Sequence, residues 1–222
     1  MPVLRVENLK KYFPVYSGVF QRRTGWVHAV SDVSFEVKRG QTLGIVGESG
    51  CGKTTLGRCI LGLYNLTSGR ILVHDRPIEG LGSGQKKKLA GQLQMIFQDP
   101  YESLNPRQTV QQILEEKYRI HNFPARDLEQ EVLGLLDKVG MRPDALSKFP
   151  HEFSGGQRQR IGIARAISMA PQIIVCDEPV SALDVSVQSK ILNLLLSLQQ
   201  TMGLTYVFIS HDLSVVRHIS DT

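Results

Sequence analysis

An α/β fold with a mostly parallel sheet is predicted by three observations. Apolar runs at 43–46, 173–176 and 205–209 have the length and composition of buried strands. Segments with helical character follow them, at 53–63, 187–198 and 212–220. Between the first such strand and its helix stands Gly47-Glu48-Ser49-Gly50-Cys51-Gly52-Lys53-Thr54, with Thr55 after it. This stretch fits the phosphate-binding pattern G-x-x-x-x-G-K-[ST] with no mismatch. Strands alternating with helices imply a parallel sheet with ligands at the carboxyl ends of its strands.

The elements follow in order. Val3, Arg5, Val6 and Glu7 alternate apolar and polar, which predicts an edge strand over 3–9. Residues 12–25 hold Pro14, Gly18 and Gly25 with Arg22 and Arg23, and read as a loop. Alternation returns at 27–37, with Val30, Val33, Phe35 and Val37 assigned to one face. These N-terminal strands form an antiparallel β subdomain. Further strands are expected at 69–73 and 93–97, with Leu81-Gly82-Ser83-Gly84 as a turn between them. From Thr109 to about Ser168 the strand signal disappears. Val110, Ile113, Leu114 and Lys117-Tyr118 have helical spacing, as do Leu128, Val132, Leu135, Leu136 and Val139. Asp127 is a candidate cap of the second of these helices and Gly140 its stop. The block reads as an inserted α-helical subdomain, about 99–169, within a core made of about 1–98 and 170–222.

Composition narrows the class. Charged residues make up 21% and hydrophobic residues 41% of 222 positions, which fits one globular unit. No apolar stretch reaches the roughly 18 residues of a membrane span. The N-terminus carries charges where an export signal has its apolar segment, so no such signal is expected. Cys51, Cys59 and Cys176 have no paired spacing, which argues against a disulfide framework or a zinc site and for a reducing cytosol. The net charge of +5 is compatible with an anionic partner. The densest basic cluster, Gln85-Lys86-Lys87-Lys88, has no interleaved aromatics, so no nucleic-acid partner is expected.

The motifs carry specific chemistry. Glycines 47, 50 and 52 allow the backbone to wrap a triphosphate and turn N–H groups inward. Lys53 adds a point charge near the outer phosphates, and the Thr54 hydroxyl is a Mg²⁺ ligand. The helix behind them presents its N-terminal dipole. Ile173-Ile174-Val175-Cys176-Asp177-Glu178 is a buried strand ending in two acids. Asp177 is placed to hold Mg²⁺, and Glu178 to polarise an attacking water. Ser154-Gly155-Gly156-Gln157 opens a further helix and resembles a second anion-reading loop. Two such loops in one chain suggest a nucleotide shared between two subunits.

In this order the motifs resemble the ATP-binding subunit of an ABC transporter, over nearly all of the chain. Gly47 to Thr54 matches Walker A, Gln98 the Q-loop, Ser154 to Gln157 the signature, and Asp177-Glu178 the end of Walker B. Ser181-Ala182-Leu183-Asp184 matches the D-loop and His211 the switch histidine. A closer similarity is to the dipeptide, oligopeptide and nickel importer group. It rests on Gln98-Asp99-Pro100-Tyr101-Glu102-Ser103-Leu104-Asn105-Pro106-Arg107, on Phe149-Pro150-His151-Glu152-Phe153, and on the segment from Asp177 to Gln188. The basic segment 14–25 also resembles that group. Phe153 and Val180 stand where the wider family usually has Leu and Thr. The family usually continues beyond the position matched by Thr222, so the C-terminus reads as truncated.

The resemblance implies ATP and Mg²⁺ as ligands. Glu178, His211 and Gln98 are the implied catalytic groups, and Thr54, Asp177 and Gln98 the implied metal site. An aromatic residue stacks on adenine; Phe13 matches that position best, with Tyr12 and Tyr16 as competitors. Ser154, Gly155, Gly156, Gln157 and Asp184 are implied to meet the nucleotide held by a second subunit, identical or unlike, in a head-to-tail dimer. The implied partners are a transmembrane permease and, indirectly, a solute-binding protein, with the chain peripheral at the cytoplasmic face of the membrane. Glutathione or nickel import is the alternative; an ABC-type ATPase outside transport is a more distant one.

Overall fold

The computed structural model describes residues 1–18, 22–99, 103–122 and 128–222. Pro100, Tyr101, Glu102 and the candidate cap Asp127 lie outside them. Two four-stranded sheets organise the chain. The first is antiparallel, in the order β2-β1-β4-β5, formed by β1 (Pro2–Ser17), β2 (Arg22–Lys38), β4 (Ser68–Val73) and β5 (Arg76–Pro77). The second is parallel, in the order β3-β8-β7-β6, formed by β3 (Thr42–Val46), β6 (Leu93–Ile96), β7 (Ile173–Asp177) and β8 (Thr205–Ser210).

Seven helices are assigned among the described residues: α1 (Lys53–Ile60), α2 (Ser83–Gln92), α3 (Val110–Ile120), α4 (Leu128–Lys138), α5 (Gly155–Ile167), α6 (Val185–Met202) and α7 (Leu213–Ile219). The start of α3 is explained by a reciprocal cap. Thr109 Oγ1 accepts from Gln112 N, and the Gln112 side chain accepts from Thr109 N. Helix α6 ends where Gly203 takes a left-handed conformation.

The central parallel strands β7 and β8 are buried on both faces, so their side chains divide by parity. Ile174, Cys176, Tyr206 and Phe208 join the core shared with α3, α4, α5 and α6. Ile173, Val175, Val207 and Ile209 join the core shared with α1 and the antiparallel sheet. This double coverage is why these strands read as continuous apolar runs.

Four sequence expectations are corrected. The first strand is not at an edge: β1 lies between β2 and β4 and continues to Ser17. The segment 12–25 is not a loop. Its described residues extend β1 and β2 into a ribbon that pairs Tyr16 with Arg23 and Ser17 with Arg22. Cross-strand hydrogen bonding overrides the weak local signals of Pro14 and Gly25 there. Val30 does not share a simple alternation with Val33, Phe35 and Val37. The register shifts near Asp32, whose φ is +58°. The turn at Gly82 is followed by α2, a helix with no buried residue and thus no apolar periodicity to betray it.

The core makes one stability prediction. Phe208 is fully buried in the middle of the parallel sheet. Phe208→Ala is expected to lower unfolding free energy by about 3–5 kcal/mol, read from urea denaturation midpoints.

Candidate functional site

The strand ends are level. Val46 pairs with Ser210, Asp177 with Ile209, and Ile96 with Cys176. The residues that follow these strands (Gly47, His211, Glu178 and Gln98) therefore emerge along one rim, at the carboxyl ends of four parallel strands. Gln98, Glu178 and His211 border a cleft of about 730 Å³. Ser49, Gly50, Cys51, Gly52, Lys53, Thr54 and Thr55 form its floor, and Gln98, Glu178 and His211 stand on one side.

The glycine loop is held closed by its own lysine. Lys53 is buried, and its Nζ donates to the Gly47 and Glu48 carbonyls at 2.7 Å each. Gly52 sits at φ +102°, and a Cβ there would fall 1.9 Å from the Ala29 carbonyl oxygen. Only glycine lets β2 approach the loop so closely. Cys51 is exposed, with its sulfur 3.9 Å from Lys53 Nζ. Cys59 and Cys176 are buried, and burial pushes the Cys59 thiol up to about 11 and the Cys176 thiol higher still.

The two acids at the end of β7 have different surroundings. Asp177 is almost fully buried and accepts a hydrogen bond from Thr54 Oγ1 at 3.1 Å. Burial raises its pKa, and the Thr54 hydrogen bond opposes that rise. Glu178 has a left-handed backbone, φ +46°, a conformation that costs a non-glycine residue about 1–3 kcal/mol. Its N–H still donates to Ile209 O at 2.9 Å, so the ladder runs one residue past the strand. Its Oε2 is met by His211 Nδ1 at 2.9 Å and by Gln98 Nε2, which donates at 3.4 Å. Gln98 thus bonds Glu178, while the Thr54–Asp177 contact forms without it.

Magnesium at a phosphate site needs only one or two carboxylates, because the phosphates supply the remaining oxygens. Thr54 Oγ1 beside a buried, under-solvated Asp177 fits that requirement. No cluster of three or more His, Cys, Asp or Glu ligands occurs among the described residues.

The third wall comes from the antiparallel sheet: Phe13, Val27, His28 and Ala29. Of the three aromatic candidates, Phe13 lines the cleft. Tyr12 stacks on His28 with ring centroids 4.0 Å apart, and Tyr16 stands exposed. Reading the sequence missed Val27, His28 and Ala29. The cross-strand pair Phe13–Val27 that brings them here is a matter of register, which local pattern does not report.

Ser154, Gly155, Gly156, Gln157 and Asp184 do not line this cleft. Ser154 caps α5, accepting from Gln157 N, while Gln157 Oε1 accepts from Ser154 N at 3.0 Å. A Cβ on Gly156 would meet Val187 Cγ1 at 2.5 Å, so its lack of a side chain also serves the packing of α5 on α6. Asp184 holds the N-cap position of α6 without a side-chain cap bond and is exposed.

Asp177 has a measurable signature. Its folded-state pKa lies above 3.8, so the chain holds a proton more readily folded than unfolded. That contribution to stability is complete below pH 3.8 and is lost as pH rises through the raised folded value. Asp177→Asn should therefore be at least as stable as the parent at pH 7, without nucleotide, in urea denaturation. A clear loss of stability would contradict this account of the buried carboxylate.

Comparison with known proteins identifies the family. The sequence pattern of the ABC transporter family matches residues 30–181. The oligopeptide transport ATP-binding protein AppF of Bacillus subtilis (strain 168) is 53% identical over 221 residues, which cover 99% of this chain and 67% of that protein. The glutathione import ATP-binding protein GsiA of Escherichia coli (strain K12) is 50% identical over 220 residues, 99% of this chain but 35% of that protein. Among solved structures, the dimeric, post-hydrolysis ATP-binding cassette MJ0796, bound to ADP and Pi, matches with a TM-score of 0.83 at 26% identity. The match covers 97% of this chain and 90% of that one. The chain belongs to the ABC transporter family, as an ATP-binding and ATP-hydrolysing subunit.

Proposed function

We propose that this chain powers import of di- and oligopeptides, peripherally bound to a transmembrane permease at the cytoplasmic face of a cell membrane. The observation that carries the site assignment is the level rim of four strand ends, which gathers Lys53, Thr54, Glu178, Gln98 and His211 around one cleft, with Asp177 behind Thr54 through their hydrogen bond. The peptide reading rests on the 53% identity to AppF. Glutathione is the second reading, favoured by the 50% identity to GsiA. No helix among the described residues is long and apolar enough to cross a membrane.

The residues take distinct roles. Residues 47–55 bind the phosphates through backbone N–H groups and Lys53, whose ammonium must exchange the Gly47 and Glu48 carbonyls for phosphate oxygens. Thr54, Asp177 and Gln98 are the residues to hold Mg²⁺, which neutralises phosphate charge when bound. Phe13 stacks on the adenine. Glu178 orients and deprotonates the attacking water, and His211 positions Glu178 through their 2.9 Å contact and reaches the outer phosphate. Phosphoryl transfer asks mainly for positioning and charge stabilisation, which this set supplies.

The reading of a head-to-tail dimer is supported by the placement of Ser154, Gly155, Gly156, Gln157 and Asp184 outside the chain's own cleft. A second subunit, identical or unlike, presents them to the nucleotide. The permease contact belongs to a separate groove of about 910 Å³ between β6 and α3, walled by Phe97, Met95, Ile120 and Lys117. It shares Thr54 and Gln98 with the cleft, which connects permease and nucleotide. A solute-binding protein delivers peptide to the permease.

Two variants test the chemistry. Glu178→Gln should keep ATP binding, favour the dimer and lower Mg²⁺-dependent hydrolysis by about 10²- to 10⁴-fold. Lys53→Ala should weaken ATP binding itself, measured by titration calorimetry. Hydrolysis at the parental rate in Glu178→Gln would overturn the base assignment. With the permease in vesicles, stimulation of hydrolysis by peptide rather than glutathione would support the first solute reading, and the reverse the second.

A further inference from the structure

Phe13 does not stand alone. Lys11 Nζ lies 4.6 Å from the centroid of its ring, and the same ammonium donates to the Asn65 carbonyl at 2.8 Å. Tyr64 meets the Phe13 ring edge-on, centroids 5.4 Å apart at 84°. Tyr64 is itself fixed, since its hydroxyl accepts from Arg58 Nη1 at 3.0 Å. The backbone on either side is tied as well: Tyr12 N donates to Thr67 Oγ1 and Thr67 N to Lys10 O, both at 2.8 Å. A cation and a second aromatic ring therefore both pack on Phe13, which itself lines the cleft.

We propose that Lys11 and Tyr64 are positioning residues for the purine base, acting through Phe13. This inference rests on the reading of Phe13 as the adenine-stacking residue. The physical reason is preorganisation. Phe13 is only half-buried, on a strand that β4 has ceased to pair beyond Lys10. An aromatic ring in that position has rotamer freedom to lose when a base stacks on it. The Lys11 ammonium, pinned by Asn65, attracts the ring through its quadrupole, and the edge of Tyr64 restricts the alternative rotamers. The freedom is thus removed before nucleotide arrives. None of Lys11, Tyr64 and Asn65 lines the cleft, so none needs to touch the nucleotide to act.

The test compares ATP with tripolyphosphate, which has phosphates and no base, by titration calorimetry on the full chain. Lys11→Met and Tyr64→Leu are expected to raise the Kd for ATP about three- to tenfold and to leave that for tripolyphosphate unchanged. In hydrolysis, KM should rise with kcat held. Phe13→Ala should weaken ATP at least as much, and Lys11→Met should add nothing in the Phe13→Ala background. Lys11→Arg should restore parental affinity. If Phe13→Ala weakens ATP but the Lys11 and Tyr64 variants do not, the bracket is overturned and the Phe13 reading stands. Equal loss for ATP and tripolyphosphate in Lys11→Met would also overturn it, since that marks a general effect on the loop. If Phe13→Ala leaves ATP affinity unchanged, the adenine-stacking reading itself falls, and the inference with it.

Discussion

The constraint on which the rest depends is the register of the parallel sheet. Hydrogen bonding between β3, β8, β7 and β6 fixes Val46 beside Ser210, Asp177 beside Ile209 and Ile96 beside Cys176. Asp177 closes β7, and Glu178, His211 and Gln98 lie one or two residues beyond a strand end. A slip of one residue in any pair would turn the strand's side chains to the opposite face and carry Asp177 or His211 off the rim. The register is protected by the cores on both faces, because a slip would bury the wrong set of side chains against α1 and α6.

The rim is energetically uneven, and the unevenness serves the chemistry. Asp177 is buried beyond what an isolated carboxylate favours, with the Thr54 hydroxyl and the charges of Arg58 and Lys53 as partial compensation. Glu178 is held in a left-handed backbone with its carboxylate met by Gln98 and His211. Lys53 is satisfied by the carbonyls of its own loop. Asp177 and Glu178 are thus desolvated and oriented before nucleotide enters, while Lys53 changes partners when the phosphates bind. The cost falls on folding stability, where a neutral side chain at position 177 would serve as well or better.

Much of this was legible in the sequence because the relevant signals are local. The loop 47–54, the apolar run ending in Asp177-Glu178 and the capping pattern at Ser154 each declare themselves within a few residues. The helical block was visible from the spacing of Val132, Leu135 and Leu136, which all enter one core. The N-terminal ribbon was not legible. Pro14, Gly18 and Gly25 are turn-formers, and only pairing across β1 and β2 makes their neighbourhood a strand. Helix α2 escaped for the opposite reason: it buries nothing, so burial left no period to read.

By itself the sequence determined the chemical inventory: a phosphate loop, a magnesium carboxylate, a candidate base, a capped glycine pair and the order in which they occur. Those are properties of short segments, set by residue type and spacing. Only the tertiary structure decided which of them share a cleft. It placed Gln98 and His211 on Glu178, put Phe13 rather than Tyr12 in the wall, and left residues 154–157 outside. Those outcomes depend on strand register and on the packing of β2 over the loop, interactions between residues far apart in the chain that no local pattern encodes.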